Sequence, residues 1–270
     1  MKQTIIILFL FFMLAVSGEA HMESDSVSSD EKSYHFLKQD VLGENDVYET
    51  PYYSLVGKKP GPIMILDGGI HGDEVAAFMC CDSILHYINV LAGTLIIIPR
   101  VNIQACQQNV REINIDFNHA FPGNLQSDVY EFRLAYEFMW LVDSVKPDLI
   151  INLHEARTKY NGDAATDAEK AYGQIVITFL QPFPKFMTNC VDDMDAKISV
   201  DEFKFHPHYY EYHDYSSLDN FVTKLHIDSY TIETWRGFNI EDRVKLQVIA
   251  CLQFMKELGL KFEYPDIKFN

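Results

Sequence analysis

The sequence predicts an α/β protein built on a mostly parallel sheet with helices on both faces. Three observations predict it. Short apolar runs of strand length alternate with longer helical patterns over most of the chain. The runs are apolar at consecutive positions, as expected of strands buried on both faces. Chemically capable residues fall just after several runs, and ligands of such sheets gather beyond the carboxyl ends of the strands.

The elements follow in order. Ile63–Leu66 reads as a buried strand and leads into Asp67-Gly68-Gly69-Ile70-His71-Gly72-Asp73-Glu74, a glycine-rich turn. A helical pattern over Val75–Val90 comes next, then a strand at Thr94–Ile98. Val129–Val145 is a second helix, its Phe, Tyr and Leu spacing that of a core-facing stripe. Strands are expected at Leu149–Leu153, Ile175–Leu180 and Tyr230–Ile232. A last helix over Ile240–Leu258 has Asn239 as its cap and Gly259 as its stop. The segment from His206 to Tyr215 is dense in His and Tyr and contains Pro207, so it reads as a loop near the cleft. A second metal site there is the alternative, and Tyr210 or Tyr212 would be a hydrogen-bond donor to substrate.

Residues 1–20 have the layout of a secretory signal: Lys2, twelve apolar residues from Ile5 to Val16, then small residues before a cut after Ala20. Twelve residues fall short of the ~20 that span a bilayer. Residues 21–32 read as a flexible acidic leader, leaving 33–270 as one domain. Export implies a periplasmic or secreted protein with no stable membrane insertion after cleavage. Of the 270 residues, 48% are hydrophobic, enough for one large core and too many for a disordered chain. The net charge of −17, from 22 Lys and Arg against 39 Asp and Glu, argues against a nucleic-acid or anionic-membrane binder. The five Cys are odd in number and hold no C-x-x-C pair, so neither a zinc ribbon nor a thioredoxin-like site is expected. Cys80, Cys81 and Cys251 fit buried thiols in apolar helices.

Three separate elements present metal-ligand chemistry. His71 and Glu74 share the glycine-rich turn, His154 ends the third strand, and Glu233 ends the last. Two imidazoles and a carboxylate form a zinc set with an open position, and a second carboxylate suits a general base. H-x-x-E spacing alone is unspecific, because His208 and Glu211 repeat it. There is no H-E-x-x-H, G-x-S-x-G or phosphate-binding loop.

The strings GGIHGDE, PRVNIQACQQNVREINIDFNHAFPG, INLHEA and SYTIETW resemble the zinc carboxypeptidase superfamily, nearest its succinylglutamate desuccinylase/aspartoacylase-like branch. The resemblance implies a three-layer α/β/α sandwich around a mixed sheet. It implies one zinc ion held by His71, Glu74 and His154, with Glu233 as general base and Arg111 steadying the oxyanion. Asn118 matches the family's asparagine, but His119 stands where the family places an arginine for the substrate carboxylate. Histidine cannot form that bidentate fork. Either another arginine supplies the grip, Arg157, three residues past His154, being the better candidate and Arg133 the second, or the substrate does not end in an ordinary α-carboxylate; Arg100 is a further cation with no spacing to support it. The expected substrate is a small peptide, such as a cell-wall stem peptide, or an N-acyl amino acid. A metal-retaining binding module without turnover is the alternative.

Overall fold

The computed structural model describes residues 36–162, 170–211 and 216–267. The expected signal and leader, residues 1–32, lie outside them, as does Tyr212. All described residues belong to one compact unit, Lys32–Asn270.

The centre of the molecule is a nine-stranded sheet: β1 (Phe36–Leu42), β2 (Thr50–Val56), β3 (Lys59–Asp67), β4 (Asn89–Ile98), β5 (Leu149–Ala156), β6 (Ile175–Thr178), β7 (His206–Tyr209), β8 (Asp228–Trp235) and β9 (Lys261–Glu263). Their order is β1-β2-β4-β3-β5-β8-β6-β7, with β9 pairing β4. β4, β3, β5 and β8 run parallel, while β2, β9 and β6 join this centre antiparallel. The sheet is therefore mixed, and parallel where the chemistry lies.

Alternation along the central strands builds two cores. Met64, Leu66, Leu95, Ile97, Leu149 and Ile151 face one side, with α1 (Val75–Tyr87), α4 (Lys185–Asp195) and α6 (Ile240–Leu258). Ile65, Ile96, Ile98 and Ile150 face the other, with α3 (Tyr130–Val145) and α5 (Leu218–Lys224). That is the three-layer α/β/α sandwich. A short α2 (Ile103–Gln108) and a 3₁₀ turn (Phe117–His119) bridge β4 to α3.

The final helix begins and ends where its caps require. The Asn239 side chain accepts from the Asp242 amide at 2.9 Å, and Gly259 takes φ +92°, a left-handed stop. The His/Tyr segment departs from expectation: residues 206–209 form the edge strand β7. Pro207 is tolerated there because an edge strand has one side without a partner. All five thiols are free, with Cys80, Cys81, Cys190 and Cys251 buried. No helix among the described residues is long and apolar enough to cross a membrane.

Candidate metal centre

β3 ends at Asp67, and the turn that follows is braced by the neighbouring strand end. The amides of Val101 and Asn102 donate to the carbonyls of Gly68 and Gly69, each at 2.9 Å. Gly69 adopts φ +71°. At Gly72 a Cβ would fall 2.0 Å from the Ala105 carbonyl carbon, so only glycine lets the turn lie this close to α2. The turn thereby fixes His71 and aims Glu74 from the foot of α1.

β5 and β8 supply the rest. They pair in parallel register with His154 opposite Glu233. The sequence alone separates these two residues by 79 positions; the register makes them neighbours.

His71, Glu74 and His154 meet in a buried cluster whose ligand atoms all lie within 4.8 Å of one another. His71 Nδ1 is 2.8 Å from Glu74 Oε1, His154 Nδ1 is 2.8 Å from Glu74 Oε2, and the two Nδ1 atoms are 3.1 Å apart. Two ring nitrogens turned toward each other and toward one carboxylate form a donor set for a divalent cation. The far nitrogen of His71, Nε2, lies 3.0 Å from Asp116 Oδ1. A carboxylate on the outer nitrogen fixes the tautomer that leaves Nδ1 free to ligate. Asp116 sits two residues before Asn118 in the same motif, and its contact with His71 is what gives it a role.

The charges around the cluster are matched. Burial opposes it, but Glu74 and Asp116 raise the His71 pKa to about 9. The two imidazoles hold Glu74 well below the usual carboxylate range despite its burial. His71 and Arg111 do the same for Asp116.

Further bonds anchor the ligands from behind. Glu74 Oε2 accepts the Glu155 amide at 3.0 Å, and Glu155 in turn accepts Ala76 N and Arg243 Nη1. Gln247 on α6 donates to the His154 carbonyl at 2.9 Å and to Thr234 Oγ1 at 3.0 Å. α6 therefore locks the ends of β5 and β8 together.

Glu233 stands at the wall of this cluster, partly exposed, with Oε2 buried and without a hydrogen-bond partner. Burial first, then the Glu74 charge, push its carboxyl far above the ordinary range. Arg111 reaches Asp116 at 2.8 Å and Glu74 at 3.5 Å, which brings its guanidinium to the same mouth. Asn118 lies beside it, its Oδ1 buried and without a partner, and His119 Nδ1 is 3.2 Å from Ser216 Oγ.

The arginines divide clearly. Arg133 pairs with Asp46, and Arg100 with Asp82, on other parts of the surface. Arg157 is 75% exposed and touches Asp73 at 3.3 Å. Arg236 is more enclosed, 2.9 Å from the same Asp73 and 3.8 Å from Glu74. The signal for Arg236 was present: it follows Glu233 by three residues, as Arg157 follows His154, on strands paired in that register.

His206, His208 and Tyr210 pack with Tyr160, Tyr172 and Phe179 as an aromatic cluster. Among the described residues, the metal-capable group is His71, Glu74 and His154, without His208 or Glu211. A separate groove of about 680 Å³, lined by Tyr48, Leu125 and Trp140, contains none of the candidate site residues.

Residues 60–162 match the family model of the succinylglutamate desuccinylase/aspartoacylase catalytic domain. Over 146 residues the chain is 26% identical to an N-alpha-acetyl-L-2,4-diaminobutyric acid deacetylase of Halomonas elongata, covering 52% of this chain and 41% of that protein. The product-bound form of the Cell Shape Determinant protein Csd4 of Helicobacter pylori is similar in fold, with a TM-score of 0.72 at 19% identity, over 81% of this chain and 57% of that one. Its mDAP-bound form is that of a D,L-carboxypeptidase. A succinylglutamate desuccinylase/aspartoacylase of Rhodobacter sphaeroides matches with a TM-score of 0.60 at 21% identity, over 83% of this chain and 66% of that one. The chain thus spans less than two thirds of the length of each of these relatives. The chain is thus similar to the succinylglutamate desuccinylase/aspartoacylase catalytic domain over residues 60–162, shares its three-layer fold with these solved structures, and carries a His-Glu-His cluster.

Proposed function

We propose that this chain is an exported zinc-dependent hydrolase that cleaves an amide bond in a small peptide. The observation that carries the reading is a buried His-Glu-His set with one carboxylate, Glu233, left without a partner beside it. A binder needs the set, but has no use for an unpaired acid beside it.

His71, Glu74 and His154 hold the ion, which when bound supplies a Lewis acid and lowers the pKa of water. Glu233 accepts the proton of the attacking water and passes it to the leaving nitrogen. Arg111 faces the oxygen on which charge develops, an electrostatic contribution that is often the largest single one. Asn118 and His119 line the substrate end. With histidine at 119, Arg157 or the more enclosed Arg236 grips a substrate carboxylate. Domain 33–270 carries this chemistry, and residues 1–20 direct it out of the cytoplasm.

The peptide reading draws support from the likeness to Csd4 in its product-bound and D,L-carboxypeptidase forms. The second reading, an N-acyl amino acid deacylase, draws on the domain match and the Halomonas deacetylase. Peptides and N-acyl amino acids assayed side by side on the zinc-loaded protein separate the two. Glu233→Gln is expected to abolish turnover of whichever substrate is cleaved, with metal content unchanged by elemental analysis. Wild-type turnover in that variant would remove Glu233 from the mechanism, and metal without hydrolysis on a broad panel would favour the binding module.

A further inference from the structure

Directly below the His154/Glu233 row lies a second polar row that the proposed reaction does not use. Asp67 pairs in register with Asn152, and Asn152 with Thr231, across β3, β5 and β8. This row precedes His154 and Glu233 by two residues, so it faces the same side of the sheet about 7 Å deeper. Asp67 is 0% exposed and Asn152 is 1% exposed. Asp219 from α5 covers the row and accepts three donors: Asn152 Nδ2 at 2.9 Å, Thr231 Oγ1 at 2.7 Å, and Ser229 Oγ.

Those bonds consume the donors. Both carboxylate oxygens of Asp67 and Oδ1 of Asn152 are buried with no hydrogen-bond partner. The charge that Asp67 feels is that of Asp219, of the same sign; burial and this charge drive its carboxyl well above the ordinary range. A proton shared between Asp67 and Asn152 would pair two of these three oxygens and leave the other Asp67 oxygen bare. Orphaned buried acceptors of this kind are costly and call for an occupant.

We propose that Asp67 and Asn152, backed by Asp219, bind a small monovalent cation of the sodium or potassium class beneath the metal centre. Every donor is an oxygen, which selects hard cations over zinc. Of the two carboxylates in the row, Asp219 is held by three donors and only Asp67 lacks them, so the free oxygens call for one positive charge rather than the two of calcium. One positive charge cancels the carboxylate left uncompensated, and the ion ties β3 to β5 under the residues that hold zinc.

The test uses the zinc-loaded full chain and does not read activity, so it stands or falls apart from the proposed reaction. Thermal unfolding is compared in NaCl, KCl and choline chloride at equal ionic strength. At a cation concentration about tenfold above its dissociation constant, the melting temperature is expected to rise by about 3–6 °C over choline. Asp67→Asn should erase the difference. Equal melting temperatures in the three salts would overturn the proposal, as would a difference of the same size in Asp67→Asn. Should that variant fail to fold, sodium-23 NMR of the wild type decides. Line broadening that saturates at about one ion per chain and is displaced by potassium supports the site; its absence overturns it.

Discussion

The triad and the row beneath it are two polar groups on the same strands, buried alike and opposite in balance. His71, Glu74 and His154 are each at most 3% exposed, yet Nδ1 of each imidazole lies 2.8 Å from a Glu74 oxygen, and only the far nitrogen of His154 is left without a partner. Asp67 and Asn152 are equally buried, and Asp67 faces only another carboxylate. Burial alone therefore does not identify a site. What a group still lacks identifies what it takes: the triad presents convergent nitrogens and a carboxylate suited to zinc, and the lower row presents oxygens short of a positive charge.

Breaking the triad should have the largest effect. Glu74→Gln leaves two imidazoles without their shared carboxylate, and removing one partner of a buried ionic group costs roughly 3–5 kcal/mol. Stoichiometric metal should be lost by elemental analysis, and turnover with it. A variant that keeps one equivalent of metal would mean that Glu74 is no ligand.

Asp116→Asn acts on His71 from behind and should have a gentler effect. It removes the carboxylate from the outer nitrogen of His71, and such changes weaken metal affinity by about 10–100-fold. Competition against a chelator measures it. An unchanged affinity would make the His71–Asp116 contact incidental.

The pH dependence sharpens the contrast between loaded and metal-free protein. His71 is raised from 6.5 to about 9, so its contribution is complete below 6.5 and lost as pH rises through 9. Glu74 is depressed below 4.5, so its contribution is present above 4.5 and lost as pH falls. Metal-free protein should gain most from the pair between 4.5 and 6.5. A divalent metal held by the cluster would take the place of the proton on His71, so metal affinity should fall as pH drops. Melting curves against pH, with and without chelator, test both signs.

Gln247→Leu should cost about 1–3 kcal/mol, since it leaves the buried His154 carbonyl without its donor. Arg157→Ala should change stability by less than about 0.5 kcal/mol, because the side chain is 75% exposed. Any effect it has should fall on KM for a carboxylate-bearing substrate, and a comparison with Arg236→Ala shows which arginine carries the grip.

Much of this was readable from the chain. The central strands and three long helices follow from apolar runs and periodicity, and the end of α6 from Asn239 and Gly259. The edge elements were not. β1, β2, β7 and β9 carry mixed, half-exposed residues whose strand character comes from pairing with a neighbour. α4 and α5 are short, and their amphipathic faces acquire meaning only against the sheet. Within the site, His71, Glu74, His154 and Glu233 were legible because each ends a recognisable element. The role of Asp116 rests on its distance to His71, and the parallel between Arg236 and Arg157 acquires meaning only once β5 and β8 are paired.

The sequence by itself determined the α/β class, the glycine-rich turn at residues 68–74 and the residue types able to hold a metal, because these depend on local patterning and side-chain chemistry. Only the tertiary structure decided which of them meet. Parallel register sets His154 beside Glu233, and the same register sets Asp67 beside Asn152 one step deeper. Burial then leaves each pair to be completed by whatever charge its neighbours fail to supply.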